Sequence, residues 1–273
     1  MTSTPIFHLY NEHHTGDNIF GCIMFHNIKD YLIANNITIH YYINTNWFNQ
    51  LDQIREYIPC DNIKVFDINE KPTDALNIWI GSMLNGRCFF NTCELNAGYN
   101  MPFDDFLRLY YNLVIQKMNI PIQMTKFQYT DQELLSRYDR LPESCKAIDI
   151  LVINSLPYSG QYSFDEKQWA NRINELDDQF NIITTRKVDG IKCTLDHQLS
   201  LKNIAALSTR CKVIIGVNTG VVPGLFNSYT LANVKKIFLM DNSITYNGGH
   251  LKIQNVQDIT AVSISELNEF MHS

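Results

Sequence analysis

Five stretches of this chain hold side chains whose types and spacing could do chemistry. The first is Glu12-His13-His14-Thr15-Gly16-Asp17, directly after the apolar run Ile6 to Tyr10. A carboxylate or imidazole placed there, Asp17 or His14, can take a proton from an attacking hydroxyl. The same residues also read as a solvated turn in which Asp17 caps a helix. Adjacent histidines seldom point at one ion, and no third ligand is evident, so His13 and His14 do not read as a metal pair. The second stretch, Asn154-Ser155 with Ser159-Gly160-Gln161, combines small polar side chains with a glycine. It suits backbone N–H groups approaching an oxyanion, or an unliganded turn. In the third, Arg186 and Lys187 follow Thr185 and offer two cations to a diphosphate, or form an exposed basic loop. In the fourth, Asp196 and His197 could hydrogen-bond a sugar or a base, while Ser200 caps the helix that follows. The fifth runs from Lys212 through Gly216 and Asn218-Thr219-Gly220 to Asn227. A β-branched run enters a capping turn and then a segment that could start a helix, a place where phosphates bind well and where a purely structural glycine turn is the alternative.

The elements that must position these loops follow from periodicity. Ile6–Tyr10, Ile37–Ile43 and Ile63–Phe66 read as strands, with helices expected over Ile19–Ala34 and Trp47–Ile58. Leu76–Ile80 and Cys88-Phe89-Phe90 read as further strands or buried loops. Phe103–Met118 is an amphipathic helix with Pro102 at its start and Pro121 beyond it. A polar connection spans roughly residues 125–146. The alternation then resumes, with strands at Ala147–Ile153, Asn181–Thr185, the run after Lys212, and Val234–Met240. Helices are expected over Phe164–Phe180, Leu201–Thr209 and Ser265–His272. A β-α-β-α-β order implies parallel sheets with helices on their faces, and ligands bind at the carboxyl ends of such strands. The predicted fold is α/β, with two Rossmann-like parallel-sheet halves facing across a cleft. Residues 1–125 and 146–262 form the halves, and residues 263–273 form a helix that could cross back to the first.

Composition narrows the function. The 273 residues are 45% hydrophobic and 18% charged, an ordinary globular mixture. The formal net charge of -6 argues against broad binding to nucleic acid or an anionic membrane. Seven scattered cysteines without a C-x-x-C pair read as reduced thiols of a cytoplasmic protein. No signal-peptide pattern or transmembrane run is found in the sequence. It contains no D-x-D, no P-loop, no G-x-S-x-G and no G-x-G-x-x-G after the first strand. Those absences disfavour metal-cradled nucleotide sugars, P-loop NTPases, α/β-hydrolases and standard dinucleotide enzymes.

Taken together, these stretches resemble the GT-B glycosyltransferases, and within them the heptosyltransferase-like group, glycosyltransferase family 9. Thr15-Gly16-Asp17 opening a helix looks like that group's N-terminal G-D turn, and Leu199-Ser200-Leu201, Ser208-Thr209-Arg210-Cys211 and Gly216-Val217-Asn218-Thr219-Gly220 look like its "LSL … sAd … G-V-D-T-G" run. The resemblance implies that Asp17 deprotonates the acceptor hydroxyl and that the Asn218 turn faces the donor's diphosphate. It implies a metal-independent glycosyltransferase with no cofactor, whose partners are a nucleotide-diphosphate sugar and a glycan or glycoconjugate. Two positions depart from the pattern. The family's Asp is Asn218 here and its following His is Pro223, which leaves the donor's identity open. A non-catalytic sugar- or nucleotide-binding module and a GT-B-like epimerase are the competing readings.

Overall fold

The computed structural model describes residues 5–46, 50–84, 87–88, 102–158, 160, 162–241 and 252–272. The chain divides into two compact units, Met1–Asp131 and Gln132–Ser273.

The first unit opens with strand β1 (Ile6–Asn11), helix α1 (Thr15–Ala34), strand β2 (Thr38–Ile43), helix α2 (Gln50–Arg55), strand β3 (Ile63–Asp67) and strand β4 (Leu76–Asn77). All four strands are parallel, in the order β3-β2-β1-β4, with Leu9 opposite Tyr41 and Leu76. Helix α1 begins at Thr15, four residues earlier than its apolar spacing suggests. The buried side chain of Asn18 donates to the carbonyls of His13 (2.9 Å) and His14 (3.1 Å), which holds the chain at the helix entry. Every residue from Asn18 to Phe25 is buried, so this stretch of α1 has no solvent face. Its outer side is covered by aromatic rings: Phe20 packs on Phe103 and Phe127 at 5.9 Å between centroids, and Phe127 stacks on Tyr111. Two of those rings come from α3 (Phe103–Lys117), the helix that Pro102 and Pro121 bracket. Met83–Leu84 (β5) and Arg87–Cys88 (β6) form a small antiparallel pair, and Phe89 and Phe90 lie outside the described residues. Strand β4 stops at Asn77 rather than running to Ile80. The Asn77 Oδ1 accepts the Trp79 N–H at 2.9 Å, and an Asx turn of this kind turns the chain out of the sheet.

The second unit begins with α4 (Glu133–Asp139), inside the stretch expected to connect the halves. A five-stranded parallel sheet follows, in the order β11-β10-β9-β7-β8, from β7 (Ile150–Ile153), β8 (Ile182–Thr184), β9 (Val213–Val217), β10 (Lys236–Met240) and β11 (Ile253–Asn255). Strands β7 and β9 are buried at every position, as expected for a sheet covered on both faces. Between the strands lie α5 (Glu166–Asp177), capped by Asp165, α6 (Leu201–Ser208), capped by Ser200, and α7 (Ser228–Asn233), capped by Asn227. The last helix, α8 (Ile264–His272), buries Leu267 in this unit's core beside Ile259 and Val262.

Helix α4 is tied to α6 by charge. The Lys202 ammonium is only 3% exposed and donates to Glu133 Oε2 at 2.9 Å, while Arg137 donates to Glu133 Oε1 at 2.8 Å. Burial raises the Glu133 carboxyl, but the hydrogen bonds from Lys202 and Arg137 outweigh it and hold the group below the ordinary carboxylate range. The depressed value stabilises the fold above the unfolded-state pKa, and that stability is lost as pH falls through the folded one. Glu133→Ala takes this carboxylate away from a buried cation and is expected to cost about 1–3 kcal/mol in urea unfolding at pH 7.

Candidate active site

The carboxyl ends of the first unit's strands gather a hydrogen-bonded set around Asp17. Strand β1 ends in Asn11, which is fully buried and whose Oδ1 accepts the backbone N–H of His13 at 3.0 Å. Tyr41, from β2, donates its buried hydroxyl to Asn18 Oδ1 at 2.5 Å. Gln50, at the start of α2, accepts from the Thr15 hydroxyl at 3.2 Å and donates to the His13 carbonyl at 3.2 Å. The loop is therefore held from three strands or helices and is not a freely solvated turn. The helix N-cap is His14, in extended geometry, so Asp17 sits inside the first turn and is not the capping residue.

Trp79, on the loop after β4, closes the set. Its indole Nε1 donates to Asp17 Oδ1 at 3.3 Å, and its ring stacks on His13 with centroids 3.7 Å apart and planes 27° apart. A side chain at Gly81 would begin 2.3 Å from the same indole, so only glycine leaves room for the ring there. The Trp79 carbonyl accepts from the Tyr110 hydroxyl at 2.6 Å, which anchors the loop to α3. The Asp17 residue keeps some contact with solvent, but its carboxylate is packed by protein. This burial raises the carboxyl above the ordinary range, against the lowering pull of His13, His14 and the indole N–H. Burial likewise lowers His13, against the raising pull of Asp17 and Glu12. Burial thus shifts the carboxylate towards taking up a proton and the imidazole towards losing one, a pairing suited to proton transfer. Asp17 lies in the first turn of α1, and His14 is the residue at its N-cap. Sequence reasoning missed Trp79, read as part of a further strand or buried loop, together with Tyr41 and Gln50. The turn residue Asn77 was the one local sign that the strand ends before the tryptophan.

In the second unit, Asn154 and Ser155 follow β7, and Arg186 and Lys187 follow β8, so the structure brings these two stretches together. The Asn154 Oδ1 accepts the Arg186 N–H at 2.8 Å, and its Nδ2 donates to the Arg186 carbonyl at 3.0 Å. The Ser155 and Thr185 hydroxyls are 2.8 Å apart. Asn154 therefore braces the basic loop through its own amide. The cations are engaged with carboxylates: Arg186 with Glu166 at 3.1 Å and Lys187 with Asp196 at 2.9 Å, all four side chains well exposed. Exposed ion pairs of this type exchange readily for other anions. His197 Nε2 is 2.9 Å from Ser144 Oγ. Gly160 adopts φ +70°, the left-handed turn conformation that glycine favours, whereas Ser159 and Gln161 lie outside the described residues.

The turn after β9 differs from its expected form. Instead of starting a helix, the chain enters a short 3-10 turn, Val222–Leu225, that contains Pro223, and α7 starts only at Ser228. Proline lacks the N–H that an α-helical turn would use, and Asn227 supplies the cap further on. The anion site proposed at a helix N-terminus therefore lacks that helix beside Asn218. What the turn does present is the Thr219 hydroxyl, buried and without a hydrogen-bond partner among the described residues. The Asn218 Nδ2 donates to Asp241 Oδ2 at 2.5 Å, a contact set by the pairing of Val217 with Met240. No group of three or more potential metal ligands occurs among the described residues, and no described helix is long and apolar enough to cross a membrane.

No protein-family model matches the chain, and no curated protein matches it in sequence. Among the solved structures that match it over nearly their full length are the following three. The glycosyl transferase family 9 protein from Veillonella parvula DSM 2008 is 10% identical with a TM-score of 0.51, covering 100% of this chain and 99% of that one. The E. coli heptosyltransferase WaaC with ADP is 10% identical with a TM-score of 0.56, covering 98% and 97%. The same enzyme with ADP-2-deoxy-2-fluoro heptose is 11% identical with a TM-score of 0.57, covering 98% and 99%. The architecture, two parallel-sheet halves with strands of four and five, is the α/β arrangement of these GT-B glycosyltransferase structures.

Proposed function

We propose that this chain moves a glycosyl group from a nucleotide-diphosphate sugar to a hydroxyl of a glycan or glycoconjugate, without a divalent metal. The observation that carries the reading is the buried Asp17 carboxylate, raised in pKa at the carboxyl end of β1, on a fold similar to sugar transferases. Asp17 takes the proton of the acceptor hydroxyl as its oxygen bonds to the sugar's anomeric carbon. The bond from that carbon to the diphosphate breaks, and the nucleoside diphosphate leaves with the electron pair. Charge on the leaving group is balanced by Arg186 and Lys187, which give up Glu166 and Asp196 for it, with the Thr219 hydroxyl as a further donor. Asn154, Ser155, Ser159, Gly160, Gln161, Asp196, His197, Asn218 and Gly220 complete the donor side of this reading, and His14 sits beside the base. The absence of D-x-D from the sequence supports the metal-free form.

ADP-, UDP- and GDP-sugars, each at 100 times its Kd, would stabilise the protein by about 2.7 kcal/mol, so a thermal-shift panel is a direct test. At least one nucleotide sugar is expected to raise Tm and to release its nucleoside diphosphate when an acceptor glycan is added, with EDTA leaving the rate unchanged. No shift with any nucleotide or nucleotide sugar would remove the donor assignment. A shift without release would instead favour the non-catalytic binding module that Asn218 and Pro223 suggest.

A further inference from the structure

We infer that Trp79 is the positioning residue for Asp17: its indole, stacked on His13, holds the Oδ1 of the carboxylate and so fixes the orientation in which the group receives the proton. The inference rests on reading Asp17 as the base. Three features of the site carry it. The indole N–H reaches Asp17 Oδ1 at 3.3 Å across 62 residues of chain. His13 stacks on the ring at 3.7 Å, and the indole lies in the space that a side chain at Gly81 would need. The loop that carries the ring is fastened at both ends. Asn77 Oδ1 accepts the Trp79 N–H at 2.9 Å, while the Trp79 carbonyl accepts from Tyr110 at 2.6 Å and from the Ser82 N–H at 2.7 Å. A rotamer held on every side is what a carboxylate needs to meet a substrate proton in one orientation.

An indole N–H donated to a carboxylate also favours the ionised form. The other groups that act on Asp17 are His13 and His14 from its own loop and the Asp17 backbone N–H, while Tyr41 from β2 and Tyr111 from α3 lie near enough to feel its charge. Both tyrosines are driven well above their ordinary value by burial and stay neutral.

The full chain, labelled with ¹⁵N at tryptophan and ¹³C at aspartate carboxyls, is titrated by NMR as wild type, Trp79→Phe, Gly81→Ala and Asp17→Asn. In the wild type, the indole N–H resonance missing from Trp79→Phe is expected to shift with the Asp17 midpoint, and Asp17→Asn is expected to flatten that shift. In Trp79→Phe and in Gly81→Ala, the Asp17 midpoint is expected to move upward by about 1 unit, the effect of a weak hydrogen bond to a charged group. A Trp79 indole in the wild type that ignores the ionisation of Asp17 overturns the inference. An unchanged Asp17 midpoint in Trp79→Phe also overturns it. Failure of the base reading is a separate result: Asp17→Asn would keep full nucleoside diphosphate release while the wild-type titration stays as described.

Discussion

Asp17→Asn is expected to reduce glycosyl transfer by about 10²–10⁴-fold while leaving nucleotide-sugar binding within about twofold of wild type, the loss that follows removal of a general base. The measurement is nucleoside diphosphate release against donor concentration, with kcat falling and KM for the donor holding. Stability moves the other way. Burial raises the Asp17 carboxyl in the folded chain, so the protonated form is the one the fold prefers. The stabilisation this provides is fully present below the unfolded-state pKa and is lost as pH rises through the raised folded value. At neutral pH the ionised carboxylate is therefore a cost to the fold, which asparagine removes. Tm of Asp17→Asn is expected to exceed wild type at pH 7, with the gap closing as pH is lowered through the Asp17 midpoint. The wild-type kcat/KM profile is expected to fall on its acid side at that same midpoint, above the ordinary carboxylate range. A variant less stable than wild type at pH 7 would show that the carboxylate is held for the fold and not for chemistry.

Gly216→Ala is expected to destabilise the second unit by about 1–3 kcal/mol, the usual cost of forcing extra carbon into a packed interior. Gly216 lies opposite Ile153 in the β7–β9 pair, and a Cβ at Gly216 would lie 2.5 Å from the Ile153 Cβ. The obstacle is the first atom of the neighbouring side chain. Ile153→Ala therefore gives no relief, whereas Ile153→Gly does, at the separate cost of a buried side chain. Urea unfolding of the three single and two double variants checks this, with the rescue confined to the glycine pair. Donor binding should weaken in step. Strands β7 and β9 carry Asn154 and Asn218 immediately beyond the affected pair, and forcing the strands apart moves the loops that the donor reading depends on.

Much of this architecture can be read from local residue types. Ile150–Ile153 and Val213–Val217 are apolar or glycine at every position, as suits short strands covered on both faces. Ser200 caps α6 by a hydrogen bond that spans three residues, so its role is visible in a short window. Thr15-Gly16-Asp17 directly after a strand marks the loop that the structure builds around, because a parallel strand must deliver its next residues to one edge of the sheet. The tertiary structure alone decided the rest. Whether Asp17 is a solvated cap or a buried carboxylate depends on Trp79, 62 residues away, which reaches it because β4 pairs beside β1 and Asn77 then turns the chain back. Asn218 acquires its Asp241 partner only through the β9–β10 pairing, and the turn beyond it follows the 3-10 path that Pro223 allows, not the helix its spacing suggests. Secondary structure and caps depend on hydrogen bonds made within a few residues, so sequence carries them. The ionisation of a carboxylate depends on what the finished fold packs against it, and no local window contains that.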